Sequence, residues 1–313
     1  MINRTTTLAL HADWSMDPRK RWMTQATRND SGWHIAPPCP VGPLPDWTAR
    51  LLAQSNGGAV ALGVDLPLGL PRAYAEKLTG LASFPAFLRT LTPTSRFFEV
   101  CKTLNEIALT RPFYPASGVK GMTRAAHAAA LGFDSPAGLS RACDRATPLR
   151  PAGAPLFWTL GANQTGKAAI TAWRDWLLPA LTTDAPLRLW PFEGSLATLL
   201  TPGTITVAET YPAEALRQLG LTLTGSKRRQ SDRAALAPAL RHVLTQRRAA
   251  PSPELAQTIT DGFGTDAAGE DRFDSLLGLL CLLAVLDGDR PDHIPDDPWI
   301  QQWEGWVLGQ KEV

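Results

Sequence analysis

Five carboxylates stand where packing alone would not place them. Asp13 ends the strand-like run TTTLALHAD (5–13), and Asp65 ends the apolar run AVALGVD (59–65). In TITVAET (204–210) side chains alternate, so Ile205, Val207 and Glu209 share one face. A carboxylate that continues an apolar face must be protonated, paired with a cation or bound to a metal, because a bare buried anion is costly. Asp271 and Asp274 are three apart in the helical pattern EDRFDSLLGLLCLLAVLDG (270–288) and so lie on one face, with Gly278, Cys281 and Val285 continuing that stripe. Acids at the ends of neighbouring strands, joined by acids on an adjacent helix, make a pocket for hard cations, and Mg2+ or Mn2+ prefers carboxylate oxygens. Two such ions can activate water and stabilise the leaving oxygen in phosphodiester cleavage. Taken singly, each acid also has a plainer use: Asp13 and Asp65 as turn residues, Asp271 as a first-turn helix acid, Glu209 as the partner of an arginine.

Particular elements must position these acids. After the first strand, KRWMTQAT (20–27) reads as a second, Asn29-Asp30-Ser31-Gly32 as a turn, and residues 32–36 as a third strand. Residues 45–54 read as a short helix, broken by Gly57-Gly58. The unbroken apolar run 59–65 predicts a strand covered on both faces, as in the middle of a parallel sheet. From 72 to 186 a mostly helical pattern is interrupted by Pro and Gly. This stretch is too long for a simple crossover and reads as a helical insertion within a single domain spanning 1–313. LRLWPF (187–192) and TITVAET follow as strand-like runs, then a basic stretch from Lys227 to Arg248, then the long helix. The plan is α/β, with an antiparallel hairpin beside a parallel part, flanked by helices. Trp299, Trp303 and Trp306 have helical spacing and are expected to pack.

Composition sets the class. With 44% hydrophobic and 19% charged residues, the 313-residue chain is neither disordered nor fibrous. A formal charge of +2 does not call for nucleic acid and leaves room for a local basic groove. Cys39, Cys101, Cys143 and Cys281 are spread without a CxxC pair and are expected as free thiols. The N-terminal apolar run ends at Asp13, without a signal-peptide core, and Leu276–Leu286 has about half of the ~20 residues a membrane span needs. The expectation is a soluble, cytoplasmic protein with no membrane partner. There is no GxSxG, HExxH or GxGxxG.

An ordered set of short motifs resembles the RNase H-like superfamily, and more closely a bacterial domain-of-unknown-function family of predicted RNase H-like nucleases. The matching pieces are Asp13-Trp14-Ser15, Gly63 to Pro71 (GVDLPLGLP), Arg141 to Arg145 (RACDR), Trp190-Pro191-Phe192, Glu209-Thr210-Tyr211-Pro212 and Asp271 to Ser275 (DRFDS). The resemblance implies a mixed five-stranded sheet of order 3-2-1-4-5 with the second strand antiparallel. The first and fourth strands then lie side by side, which brings Asp13 next to Asp65, and the final acidic helix packs across them. The paired aspartates resemble the last-helix motif of Holliday-junction resolvases of that superfamily. Carried over, Asp13, Asp65 and Asp274 are the metal ligands, with Asp271 and Glu209 next among the catalytic acids, and Mg2+ or Mn2+ is the cofactor. The first helix carries no clear counterpart of the glutamate of RNase H itself, and the small nucleases have no such insertion.

On this basis the partner is nucleic acid, with Lys227, Arg228 and Arg229 able to track a phosphate backbone or to form a solvated helix face. Trp14, Trp22 and Trp33 could stack on bases or pack together. Arg141, Asp144 and Arg145 either form a salt-bridge knot that orders the insertion or reach toward the acidic pocket, with Arg141 and Arg145 as substrate contacts. His11 shares a strand face with Asp13, as a proton-transfer aid or a packed histidine. Two other readings stand beside the nuclease. One is a non-catalytic binding module on the same fold. The other is a P-loop at Gly161–Ala168 (GANQTGKA), which matches GxxxxGK but has Ala168 where a P-loop has Ser or Thr.

Overall fold

The run AVALGV is apolar at every position, and in the computed structural model of the chain it is buried at every position, as strand β5 (Ala59–Val64). The structure describes residues 6–148, 150–160 and 165–311. A strand with no polar face needs cover on both sides and partners on both edges. It pairs in parallel with β1 (Thr6–Asp13) and with β7 (Ile205–Glu209). β1 pairs antiparallel with β2 (Trp22–Asn29), and β2 turns through the predicted hairpin into β3 (Gly32–Ile35). β6 (Leu187–Leu189) adds in parallel to β7, β8 (Ala249–Pro251) in parallel to β3, and β4 (Cys39–Pro40) pairs with β2.

The sheet is therefore mixed and eight-stranded, in the order β6-β7-β5-β1-β2-β3-β8 with β4 on β2, rather than five-stranded. Of the three added strands, β6 falls in the strand-like run LRLWPF, and the other two share a physical origin. β4 and β8 end in proline and are two and three residues long, so their ladders with β2 and β3 hold them in place rather than any pattern of their own.

The chain divides into two compact units. The first comprises Met1–Asp65, Pro186–His293 and Val307–Gln310 and contains the sheet. Its long helix, Gly269–Leu286, packs on β1, β2 and β5 and on the helix Pro212–Gln218. It is buried nearly all round, as its apolar composition requires.

The second unit comprises Leu66–Ala185, Ile294–Trp306 and Lys311–Val313. It is less helical than the sequence pattern suggests. Short helices such as Arg72–Ala75, Phe84–Arg89 and Arg124–Ala130 alternate with irregular chain and 3-10 turns, as its many prolines dictate. An aromatic cluster forms its core: Phe97 lies 5.1 Å from Phe87, 5.5 Å from Phe113 and 6.3 Å from Trp173 by ring centroid. Trp303 and Trp306 are buried, and Leu70 N–H donates to the Trp303 carbonyl at 2.7 Å.

Candidate metal centre

The strand register decides which acids meet. Ala12 of β1, Val64 of β5 and Glu209 of β7 form one cross-strand row. The next row is Asp13, Asp65 and Thr210, closed by Asp65 N–H to the Ala12 carbonyl at 3.0 Å and Thr210 N–H to the Val64 carbonyl at 2.9 Å. Successive rows face opposite sides of a sheet. Asp13 and Asp65 therefore share a face at the carboxyl ends of two central parallel strands, where open α/β sheets bind ligands. Glu209 belongs to the row that faces the other way.

The long helix covers the face that carries Asp13. Its Asp271, Asp274, Ser275 and Gly278 recur at helical spacing along one stripe. Ser275 Oγ is 2.7 Å from Thr24 Oγ1, and Thr24 is the β2 partner of His11. A Cβ on Gly278 would overlap the His11 ring. Each helix contact thus has its counterpart on the strand: Gly278 on His11, and one turn earlier Asp274 toward Asp13.

The electrostatics accord with this placement. Asp13 is held well above the usual carboxylate range, by burial and by the charges of Asp274, Asp65 and Asp271. Asp65 is pushed up to about 7, by burial first and then by Asp274, with Lys227 opposing; its carboxylate accepts a hydrogen bond from the Asp13 carboxyl. Asp271 is raised to about 6 by burial, Asp274 and Glu270. Asp274 is also raised, burial outweighing the pull of Lys227. Glu209 adds its charge to the field on Asp65. Four carboxyls with raised proton affinity are a set in need of positive charge, and their all-oxygen donors suit Mg2+ or Mn2+.

One cation is already present. Lys227 Nζ lies 2.8 and 2.6 Å from the two Asp274 oxygens. Burial works against the ammonium, yet Asp274 and Asp65 outweigh it and hold Lys227 above its ordinary range. The loop that carries it is clamped by Arg233, whose side chain is 1% exposed. Arg233 donates to the carbonyls of Gly262 (2.8 Å), Gly264 (2.7 Å) and Lys227. Gly269 leaves room for it, since a Cβ there would overlap Nη2. Arg233→Met should cost about 3 kcal/mol, because it strands three carbonyls, and should free Lys227 from Asp274. Urea unfolding and amide exchange across 221–230 check both effects.

The other predicted contacts have partners of their own or are exposed. Arg228 is exposed, 3.8 Å from Glu270, and Arg229 pairs with Asp232 at 2.6 Å. Arg141 and Arg145 belong to the second unit. Arg141 is the salt-bridge knot: 1% exposed, bonded through Nε and Nη2 to Asp144 at 2.9 and 3.0 Å and through Nη1 to the Leu68 carbonyl at 3.1 Å. Arg145 is exposed. Trp14 and Trp33 are buried, Trp33 donating to Asp287 at 3.1 Å, while half-buried Trp22 lies under the Arg272 guanidinium. His11 is fully buried and pushed down to about 3 by that burial, so it is the packed, neutral histidine. Of the P-loop match, residues 161–164 lie outside the described residues, and Lys167 Nζ is 3.4 Å from Ser117 Oγ.

Sequence reasoning names Lys227 as a phosphate contact, and its bond to Asp274 gives it a different place. Thr210 and Gly278 are the contributors it does not single out, although an interior helix glycine is itself a signal of close approach. Among the described residues no helix is long and apolar enough to cross a membrane. Comparison with family models, with curated proteins and with solved structures gave no match.

Proposed function

We propose that this protein is a divalent-metal-dependent nuclease, hydrolysing phosphodiester bonds in nucleic acid on an RNase H-like sheet. The observation that carries this reading is the convergence of Asp13, Asp65, Asp271 and Asp274, from two central strand ends and one helix, onto a single face with Lys227 among them. The run β3-β2-β1-β5-β7, with β2 antiparallel and β5 and β7 parallel to β1, supports the fold, because it has the order and sense of an RNase H-like sheet.

Asp13 and Asp65 are the residues that would hold Mg2+ or Mn2+ first, and Asp274, which carries the Lys227 ammonium, would join them if that cation left. An ion held there would supply charge for activating water and for stabilising the leaving oxygen. Asp271, half-buried and with a proton affinity near neutrality, is suited to take up or give back a proton at its carboxylate. Lys227 holds Asp274 in place. Exposed Arg228 on the same loop offers a charge to the phosphate backbone. The free cysteines accord with a reducing, cytoplasmic setting.

The test is cleavage of single-stranded, hybrid and branched nucleic acids in Mn2+ and in EDTA. Wild type should cut in Mn2+ alone, and Asp13→Asn should lose about 100-fold or more. Binding without cleavage, unaffected by EDTA and by Asp13→Asn, would identify a non-catalytic binding module instead.

A further inference from the structure

The arrangement around Lys227 bears on how many ions the site takes. Its ammonium sits on both oxygens of Asp274, at 2.6 and 2.8 Å. It is not a wandering surface lysine, since Arg233 clamps its own carbonyl from within the protein. A divalent ion on Asp274 would have to displace a tethered cation from a largely buried position. Asp13 and Asp65, by contrast, are hydrogen-bonded to each other, and among the described residues no lysine or arginine forms a salt bridge with either.

A second, independent feature points to a ligand beside that free pair. Thr210 stands in the row of Asp13 and Asp65 and is 2% exposed, yet its Oγ1 has no hydrogen-bond partner. His11, fully buried on the same face, turns its ring to the Ser275 backbone. Both side chains crowd the place where Gly63 lacks a Cβ: a carbon there would be 3.2 Å from His11 Cδ2 and 3.3 Å from Thr210 Oγ1. A buried hydroxyl is costly to leave unanswered. A hydrated cation held by Asp13 and Asp65 would answer it through a water.

We infer that the site takes one divalent cation, at Asp13 and Asp65, and that the Lys227 ammonium on Asp274 fills the place a second ion would occupy. This rests on the metal-dependent reading above. Charge balance agrees with it. Four carboxylates match two divalent ions, whereas with one of the four already answered by an ammonium a second divalent ion would leave the cluster net positive. Removing the ammonium should therefore open the second place.

Mn2+ titration by calorimetry, paired with electron paramagnetic resonance, decides the matter on the full chain. Wild type and Lys227→Arg should bind one ion and give the spectrum of an isolated Mn2+. Lys227→Met should bind two, with the signature of a spin-coupled pair. Two ions in wild type would overturn the inference and leave the metal-dependent reading standing, as would a folded Lys227→Met that still binds one. No ion in wild type would remove that reading and the inference with it. Should Lys227→Met fail to fold, the wild-type stoichiometry and spectrum still decide between one ion and two.

Discussion

Asp65→Asn should abolish Mn2+ binding and, in the absence of metal, raise the melting temperature at pH 8. Both effects come from one cause. Burial and Asp274 raise Asp65 to about 7 in the folded protein, against an ordinary value near 4 in the unfolded chain. The folded state therefore binds this proton more tightly than the unfolded state. Stability falls as pH rises from about 4 to about 7 and stays low above that window. Asp271, raised to about 6, loses stability in the same direction over a narrower range. The amide keeps the shape and removes the charge, which should return about 2 kcal/mol at pH 8, or about 5 °C in melting temperature. At pH 5, where Asp65 is largely protonated, the gain should nearly vanish. Melting curves in EDTA at both pH values, with Mn2+ calorimetry at pH 8, test the pair. A variant that melts lower than wild type at pH 8 and still binds Mn2+ would show that Asp65 is a structural acid.

Gly278→Ala should lower both stability and metal affinity. Elsewhere in a helix this change gains about 1 kcal/mol. Here the methyl overlaps the ring of His11, which is fully buried and has no room to turn. Overpacking of that kind costs about 1–3 kcal/mol or more. The cheapest relief is for the helix to lift from β1, and a lift at Gly278 loosens the cover that the helix lays over β1 and β5 beside Asp13 and Asp65. Mn2+ affinity should fall about tenfold, a loss of about 1.4 kcal/mol. Adding His11→Ala should restore much of the melting temperature, because the clash then disappears and the two changes stop being independent. Single variants and the double variant, measured together, separate this from ordinary surface damage.

The strands and the helix that carry the acids were legible in the sequence, because each has a pattern of its own. The strand-like run 5–13, the unbroken apolar run at 59–65 and the apolar length of 270–288 correspond to β1, β5 and the long helix. What stayed hidden depends on partners. The alternation of β7 groups Ile205, Val207 and Glu209, but which face of the sheet they occupy is set by register with β5. β8, an Ala-Ala-Pro segment, is a strand only because β3 lies beside it. Lys227 cannot be told from Arg228 and Arg229 by sequence, since what separates them is a partner 47 residues away. The burial of Arg233 is equally unmarked, since its acceptors are backbone carbonyls that exist only in the folded loop.

The order in which the chain is made gives the strand arrangement a further meaning. Asp13 and Asp65 lie on strands that neighbour each other in space, and β1, β2 and β3 form by local hairpin closure, a fast process. Asp271 and Asp274 come from a helix that follows the whole of the second unit's main segment and the last parallel strands. A nascent chain that has emerged to residue 260 thus has half a set of acids, without the helix that covers them or the aspartate that anchors Lys227. Cation binding should appear late and abruptly during synthesis, with the docking of that helix, so that the cluster assembles only on a sheet already in place.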